Sequence, residues 1–335
     1  MPYTVWGAFK EFKGETVDLS PEVTASARSS RNYLFEQLRR LAEKDSSFPR
    51  LLNEFMPFGS FARRTKIRPL DDIDVMPLLN GRGTTSVHMS SSDPYTYWLR
   101  IDDSSAPLDA FRDDYGYVSS IKVLNKIKSS LASVSNYRRA EIKRNLQAVT
   151  LELYSYDWVF DVVPGVPIND GLGGRAYFLI PNGKGDWTRT DPRIDQTNVT
   201  RLNSHHGGQF LPTVRLLKYW NKRTIKPVLR PYYFEILALK VFDYAPKIED
   251  FPSAVKYFFD HCPTYLWMSC PDPKGLGPDL DADVAYETKQ KVFQAMNDAS
   301  WLAGRAIDHE ARSEHKEAIE LWGRVFSRAF PSYGG

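Results

Sequence analysis

Cysteine is scarce: only Cys262 and Cys270 occur in 335 residues. Two thiols cannot frame a disulfide scaffold, so a reducing cytoplasm is the default compartment. An excess of charge of one sign is missing too. Lys and Arg number 44 against 41 Asp and Glu, a balance that announces neither a nucleic-acid nor a membrane partner. The opening stretch MPYTVWGAFKEFKGE has no apolar core of signal-peptide length, and no run approaches the ~20 apolar residues that span a bilayer. Repeats and low-complexity tracts are also lacking, which removes solenoids and arrays. Aromatic residues, by contrast, are plentiful at 13% within a hydrophobic content of 42%, which excludes a disordered or fibrous chain. The length suits about two domains of ~150 residues each.

Periodicity divides the chain into a strand-containing first half and a helical second half. Ser20-Pro21-Glu22 reads as a cap followed by proline at the first helical position, and Tyr33, Leu34, Leu38 and Leu41 continue at helical spacing, so residues 20–44 are expected to form a long helix. Residues 53–58, 72–79, 146–154 and 157–163 read as strands. The Ser- and Asp-rich residues 80–113 read as a loop, and 114–145 as helical. After about residue 195 every segment carries helical spacing: 195–205, 208–222, 231–245, 250–261, 283–303 and 311–328. The expected class is α+β, with a mixed-sheet lobe over 1–190 packed on a helical lobe over 191–335 and a cleft between them. The first helix could span both lobes.

Chemistry concentrates in residues 58–75. Asp72 and Asp74 are two apart in a strand pattern, so both carboxylates leave one face while Ile73 and Val75 point to the core. Adjacent like charges need a cation, and hard carboxylate oxygens suit Mg²⁺. Upstream, Gly59 permits a tight turn and Ser60 offers a hydroxyl and an amide to a phosphate. A third acid, Asp161, lies on the face of its strand opposite Trp158, Phe160 and Val162. Three such carboxylates holding two metals could activate a hydroxyl and stabilise a leaving pyrophosphate, with Asp161 as base or as the group that orients one.

The Gly-Ser pair, the Asp-Ile-Asp-Val strand and the later Phe-Asp-Val-Val-Pro resemble the polymerase-beta-like nucleotidyltransferase superfamily. Within it they look most like the CD-NTases, bacterial relatives of cyclic GMP-AMP synthase and oligoadenylate synthase, through the SMODS domain. The resemblance covers about residues 20–300. It implies a two-lobed polymerase-beta-like fold with an oligoadenylate-synthase-like helical lobe. It also implies transfer of nucleotides from NTPs, ATP or GTP, with two Mg²⁺ ions or Mn²⁺ in their place. The product implied is a cyclic di- or trinucleotide messenger of CBASS anti-phage defence, which acts on a downstream effector. An acceptor other than a nucleotide (RNA, protein or small molecule) and a silent nucleotide-binding module are the rival readings.

Residues 214–221 are similar to the family helix whose lysine contacts the donor triphosphate, which points to Lys218. Helical spacing sets Lys218 at the edge of the apolar stripe, so its cation is expected to reach outward. Pro231-Tyr232-Tyr233-Phe234-Glu235 looks like the family's Ser-Tyr-x-Leu-Glu helix start, with Pro231 in place of serine and Tyr232 placed to stack on the donor base. Arg63, Arg64, Lys66 and Arg68 suit either a phosphate clamp or a solvated turn. Residues 122–144 hold seven basic side chains against Glu141 alone, yet lack interleaved aromatics beyond Tyr137, so no nucleic-acid activator is expected. His261, Cys262 and Cys270 have no fourth zinc ligand at a familiar spacing, which favours idle thiols. Gly171–Gly174 and Gly183–Gly185 read as loops, and Asp272, Asp279, Asp281 and Asp283 as a solvated loop. The terminal Gly334-Gly335 is expected to form a slim mobile tail that a ubiquitin-like transferase could join to other molecules, as happens in some bacterial members of the family.

Overall fold

A computed structural model describes residues 2–90, 92–169 and 176–334. Its regular elements are, in order, α1 (Val5–Glu11), α2 (Pro21–Lys44), β1 (Leu51–Met56), α3 (Gly59–Ala62), β2 (Asp72–Leu79), β3 (Thr84–Ser90), β4 (Asp93–Ile101) and α4 (Ser120–Ala132). Six strands follow: β5 (Glu141–Asn145), β6 (Ala148–Glu152), β7 (Val159–Val162), β8 (Val166–Ile168), β9 (Tyr177–Pro181) and β10 (Trp187–Thr190). The chain then turns helical through α5 (Pro192–His205), α6 (Phe210–Tyr219), α7 (Pro231–Phe242), α8 (Phe251–Trp267), α9 (Tyr286–Ala311) and α10 (His315–Phe326).

Two compact units, each assembled from separate stretches of chain, make up the protein. One comprises Pro21–Arg63 and Leu70–Ile194, the other Met1–Ser20, Arg64–Pro69 and Asp195–Gly335. The first unit holds two five-stranded sheets, in the orders β1-β2-β7-β6-β5 and β3-β4-β10-β9-β8. In the first sheet β2 and β7 run parallel while β6 is antiparallel to both β5 and β7. Alternation decides which side chains are buried: Ile73, Val75, Phe160 and Val162 are at most 1% exposed, and Asp72, Asp74 and Asp161 occupy the opposite, half-buried face. Leu34 and Leu38 of α2 are fully buried, as their spacing requires.

The second sheet is the main departure from the sequence reading. Residues 84–90 and 93–101 form the antiparallel pair β3–β4, although their Ser and Asp content reads as loop, and β8, β9 and β10 complete the sheet. Met76 and Leu78 of the first sheet pack with Phe178 and Ile180 of the second in one apolar cluster. That tertiary burial outweighs weak local propensity. Of the expected helix over 114–145 only Ser120–Ala132 is α-helical, and its last five residues are β5, paired with β6.

The second unit is helical around a large aromatic core. Trp220, Phe234, Phe258 and Trp322 are at most 1% exposed and share one cluster with Val5, Phe9 and Phe12 of the N-terminal segment. Phe9 meets the rings of Trp322 and Phe330 edge-on at 4.9 and 5.1 Å, which explains why the first residues belong to this unit. No helix among the described residues is long and apolar enough to cross a membrane.

Candidate active site

Asp74 on β2 is the direct register partner of Asp161 on β7, and Asp72 precedes Asp74 by one strand repeat. One carboxylate oxygen from each of Asp72, Asp74 and Asp161 lies within 4.8 Å of the other two, all three residues being half-buried. Among the described residues no other trio of His, Cys, Asp or Glu converges in this way. The donor set is all carboxylate, which fits a hard divalent cation better than zinc or copper. Three acids this close repel in the absence of a cation.

Gly59 and Ser60 open the short helix α3 beside this trio. Gly59 has φ +74°, and a Cβ there would fall 1.6 Å from Asp74 Oδ2. Glycine is therefore required twice, for its backbone conformation and for the approach of the carboxylate. Thr150 on β6 stands opposite Asp161 and donates its hydroxyl hydrogen to Asp161 Oδ1 at 2.7 Å. No sequence motif singles out Thr150; the antiparallel register of β6 and β7 alone brings it there.

Lys218 and Tyr232 lie in the helical unit. Lys218 is only 6% exposed, and this corrects the expectation of a cation reaching outward. Its Nζ donates to Glu235 Oε2 at 3.1 Å and to Thr65 Oγ1 at 3.4 Å, and the Thr65 hydroxyl donates to Glu235 Oε2 at 2.8 Å. The carboxylate that α7 contributes makes a buried ammonium tenable at a position where spacing alone demands solvent. Tyr232 donates its hydroxyl to Asp195 Oδ1 at 2.7 Å, and Lys274 Nζ sits 4.4 Å from its ring centroid while pairing with Asp272 at 2.8 Å. Sequence reasoning missed Thr65, Glu235, Asp195 and Lys274 as partners, because each is far along the chain from the residue it holds.

Local contacts also describe the other residues that the sequence singles out. Arg68 donates to the carbonyls of Asp18, Gly14 and Glu15, so it ties down the N-terminal segment and does not belong to a solvated turn. Within the basic stretch Lys126 pairs with Asp45 at 2.7 Å and Lys143 with Glu141 at 2.5 Å. Asp279 and Asp283 are exposed, as a solvated loop requires, but Asp272 is 7% exposed and Asp281 accepts from Lys289 Nζ and the Cys270 amide, so the loop is anchored at those two acids. Cys262 and Cys270 are fully buried, and burial raises both thiol pKa values, far above the usual range for Cys262. His261 is exposed and bonds to the Tyr257 carbonyl. Gly183 and Gly185 lie in the turn between β9 and β10, with φ +85° and +122°. Gly171–Gly174 lie outside the described residues. The tail is pinned as far as Gly334, whose amide donates to the Pro2 carbonyl at 3.0 Å while Tyr333 meets Tyr3 edge-on at 5.4 Å; Gly335 lies outside the described residues.

No protein-family model matches the chain. A probable cyclic nucleotide synthase of Bacillus cereus is 38% identical over 335 residues, covering 99% of each chain. A cyclic AMP-AMP-AMP synthase of Acinetobacter is 22% identical over 82% of this chain and 71% of its own length. Among solved structures, that of CdnC from E. coli MS115-1 with ATP superposes with a TM-score of 0.71 at 17% identity, covering 99% of this chain and 100% of that one.

Proposed function

The chain belongs to the CD-NTase family of cyclic nucleotide synthases, and on that premise we propose that it joins NTPs, ATP foremost, into a cyclic oligonucleotide at Asp72, Asp74 and Asp161. The observation that carries this reading is the convergence of three carboxylate oxygens within 4.8 Å on one half-buried face of the first sheet. ATP is favoured as substrate because curated relatives are cyclic AMP-AMP-AMP synthases.

Asp72, Asp74 and Asp161 would hold Mg²⁺, with Mn²⁺ able to substitute. The cation would supply charge stabilisation for the attacking hydroxyl and for the pyrophosphate that leaves. Gly59 keeps backbone against the Asp74 carboxylate, and Ser60 at the start of α3 presents a hydroxyl and an amide for donor phosphates. Lys218 is assigned to the donor triphosphate and Tyr232 to the donor base; the lysine would exchange part of its pairing with Glu235 for phosphate. The product would act as a messenger on a downstream effector in anti-phage defence in the cytoplasm, and Gly335 would be the point of attachment for a ubiquitin-like transferase.

Incubation of the full chain with each labelled NTP and with their mixtures, in Mg²⁺ and without any other acceptor, tests the reading. Phosphatase-resistant small oligonucleotides identified by mass spectrometry are the expected product. Label that remains in NTPs or linear products only, or that requires an added RNA, protein or small molecule, would overturn it.

A further inference from the structure

Asp161 is held on both sides. Through the backbone it pairs with Asp74 on parallel β2 and with Thr150 on antiparallel β6, and through the side chain it accepts the Thr150 hydroxyl hydrogen at Oδ1, 2.7 Å away. We propose that Thr150 is a positioning residue for the metal centre: it fixes one oxygen of Asp161 so that the other is presented to the divalent cation shared with Asp72 and Asp74. This inference rests on the reading of the three acids as metal ligands.

The geometry favours that role in three ways. Directly opposite residues of an antiparallel pair project from one face, so a hydroxyl at position 150 must reach the acid at 161 as long as the register holds. The register is strongly specified, because Val149 and Leu151, on either side of Thr150, are fully buried and a slip of one residue would bring them to the half-buried face that carries the acids. Thr150 is itself β-branched and has few side-chain rotamers, whereas the terminal torsion of an aspartate is broad and needs an external tether to hold one orientation. Groups that orient metal ligands in this manner typically change metal affinity or activity by about 10- to 100-fold when they are removed.

The test compares Thr150→Val, which keeps shape and branching but loses the hydroxyl, with Thr150→Ser, which keeps the hydroxyl. Mn²⁺ alone is titrated into the full chain and free ion is followed by electron paramagnetic resonance. The Mg²⁺ dependence of pyrophosphate release is measured alongside, at saturating ATP. Thr150→Val is expected to weaken Mn²⁺ binding about 10-fold or more and to raise the Mg²⁺ requirement similarly, with Thr150→Ser within about threefold of the parent. The KM for ATP at saturating Mg²⁺ should stay within about twofold, which a general loosening of the sheet would not spare. Wild-type Mn²⁺ affinity in Thr150→Val, or a serine variant as impaired as valine with an unchanged unfolding midpoint, would overturn the assignment. Asp72→Asn with Asp74→Asn separates the two readings. If that protein still binds Mn²⁺ like the parent, the metal centre itself is misassigned; if it loses Mn²⁺ while Thr150→Val does not, only Thr150 falls.

Discussion

Gly59 and Asp74 are in such close contact that a single added carbon would collide: the Cβ of an alanine at 59 would lie 1.6 Å from Asp74 Oδ2. The turn that carries Ser60 and the strand that carries two of the three acids are therefore built against each other. Gly59→Ala should destabilise the protein by about 1–3 kcal/mol, from the positive φ and from overpacking. Because the displaced group is a carboxylate of the site, it should also lower pyrophosphate release by at least about 100-fold. Thermal unfolding and a pyrophosphate assay check both.

Asp72→Asn together with Asp74→Asn should abolish pyrophosphate release without lowering the unfolding midpoint. The half-buried acids repel one another, so neutralising two of them removes an unfavourable term from the fold while removing the ligands that the reaction needs. Turnover indistinguishable from the parent would refute the catalytic assignment.

Lys218 and Glu235 have side chains only 7% and 1% exposed and are 3.1 Å apart. Lys218→Met should cost about 3–5 kcal/mol in urea unfolding, because it strands a buried carboxylate. Glu235→Gln added to Lys218→Met should recover a good part of that loss. Additive single effects in this double-mutant cycle would show that the two groups are not coupled.

His206 is 1% exposed, its Nε2 lies 2.9 Å from the Phe242 carbonyl, and its Nδ1 has no hydrogen-bond partner. Burial lowers its pKa from the ordinary 6.5, since protonation would put a charge on a nitrogen with nothing to accept from it. In the unfolded chain the imidazole takes up a proton as pH falls below 6.5, and the folded protein resists. The stability present above that pH should therefore decline on acidification, down to the lowered folded value. Urea unfolding from pH 7.5 to 5 should show a shallower decline in His206→Gln than in the parent; identical slopes would assign the loss to other groups.

Legibility in the sequence followed the range of the forces involved. The acids at 72, 74 and 161 were readable because strand alternation is a local rule, and each stands out against buried neighbours of the opposite parity. The second sheet was not, since its longest strands, β3 and β4, lie in a stretch rich in Ser and Asp, and β9 packs on Met76 and Leu78 of the other sheet. Lys218 shows the same limit in a helix: spacing placed it at the stripe's edge, and only a carboxylate from α7 explains how it stays inside.

Local chemistry, then, was determined by the sequence alone: which residues alternate, where glycine permits a tight turn, and which acids could share a cation. Tertiary structure decided the rest, namely that Thr150 tethers Asp161, that Glu235 shelters Lys218, and that residues 84–90 and 93–101 are sheet and not loop. The physical reason is that periodicity acts over a few residues, whereas hydrogen bonds and buried ion pairs depend on which distant segments packing brings within about 3 Å of each other.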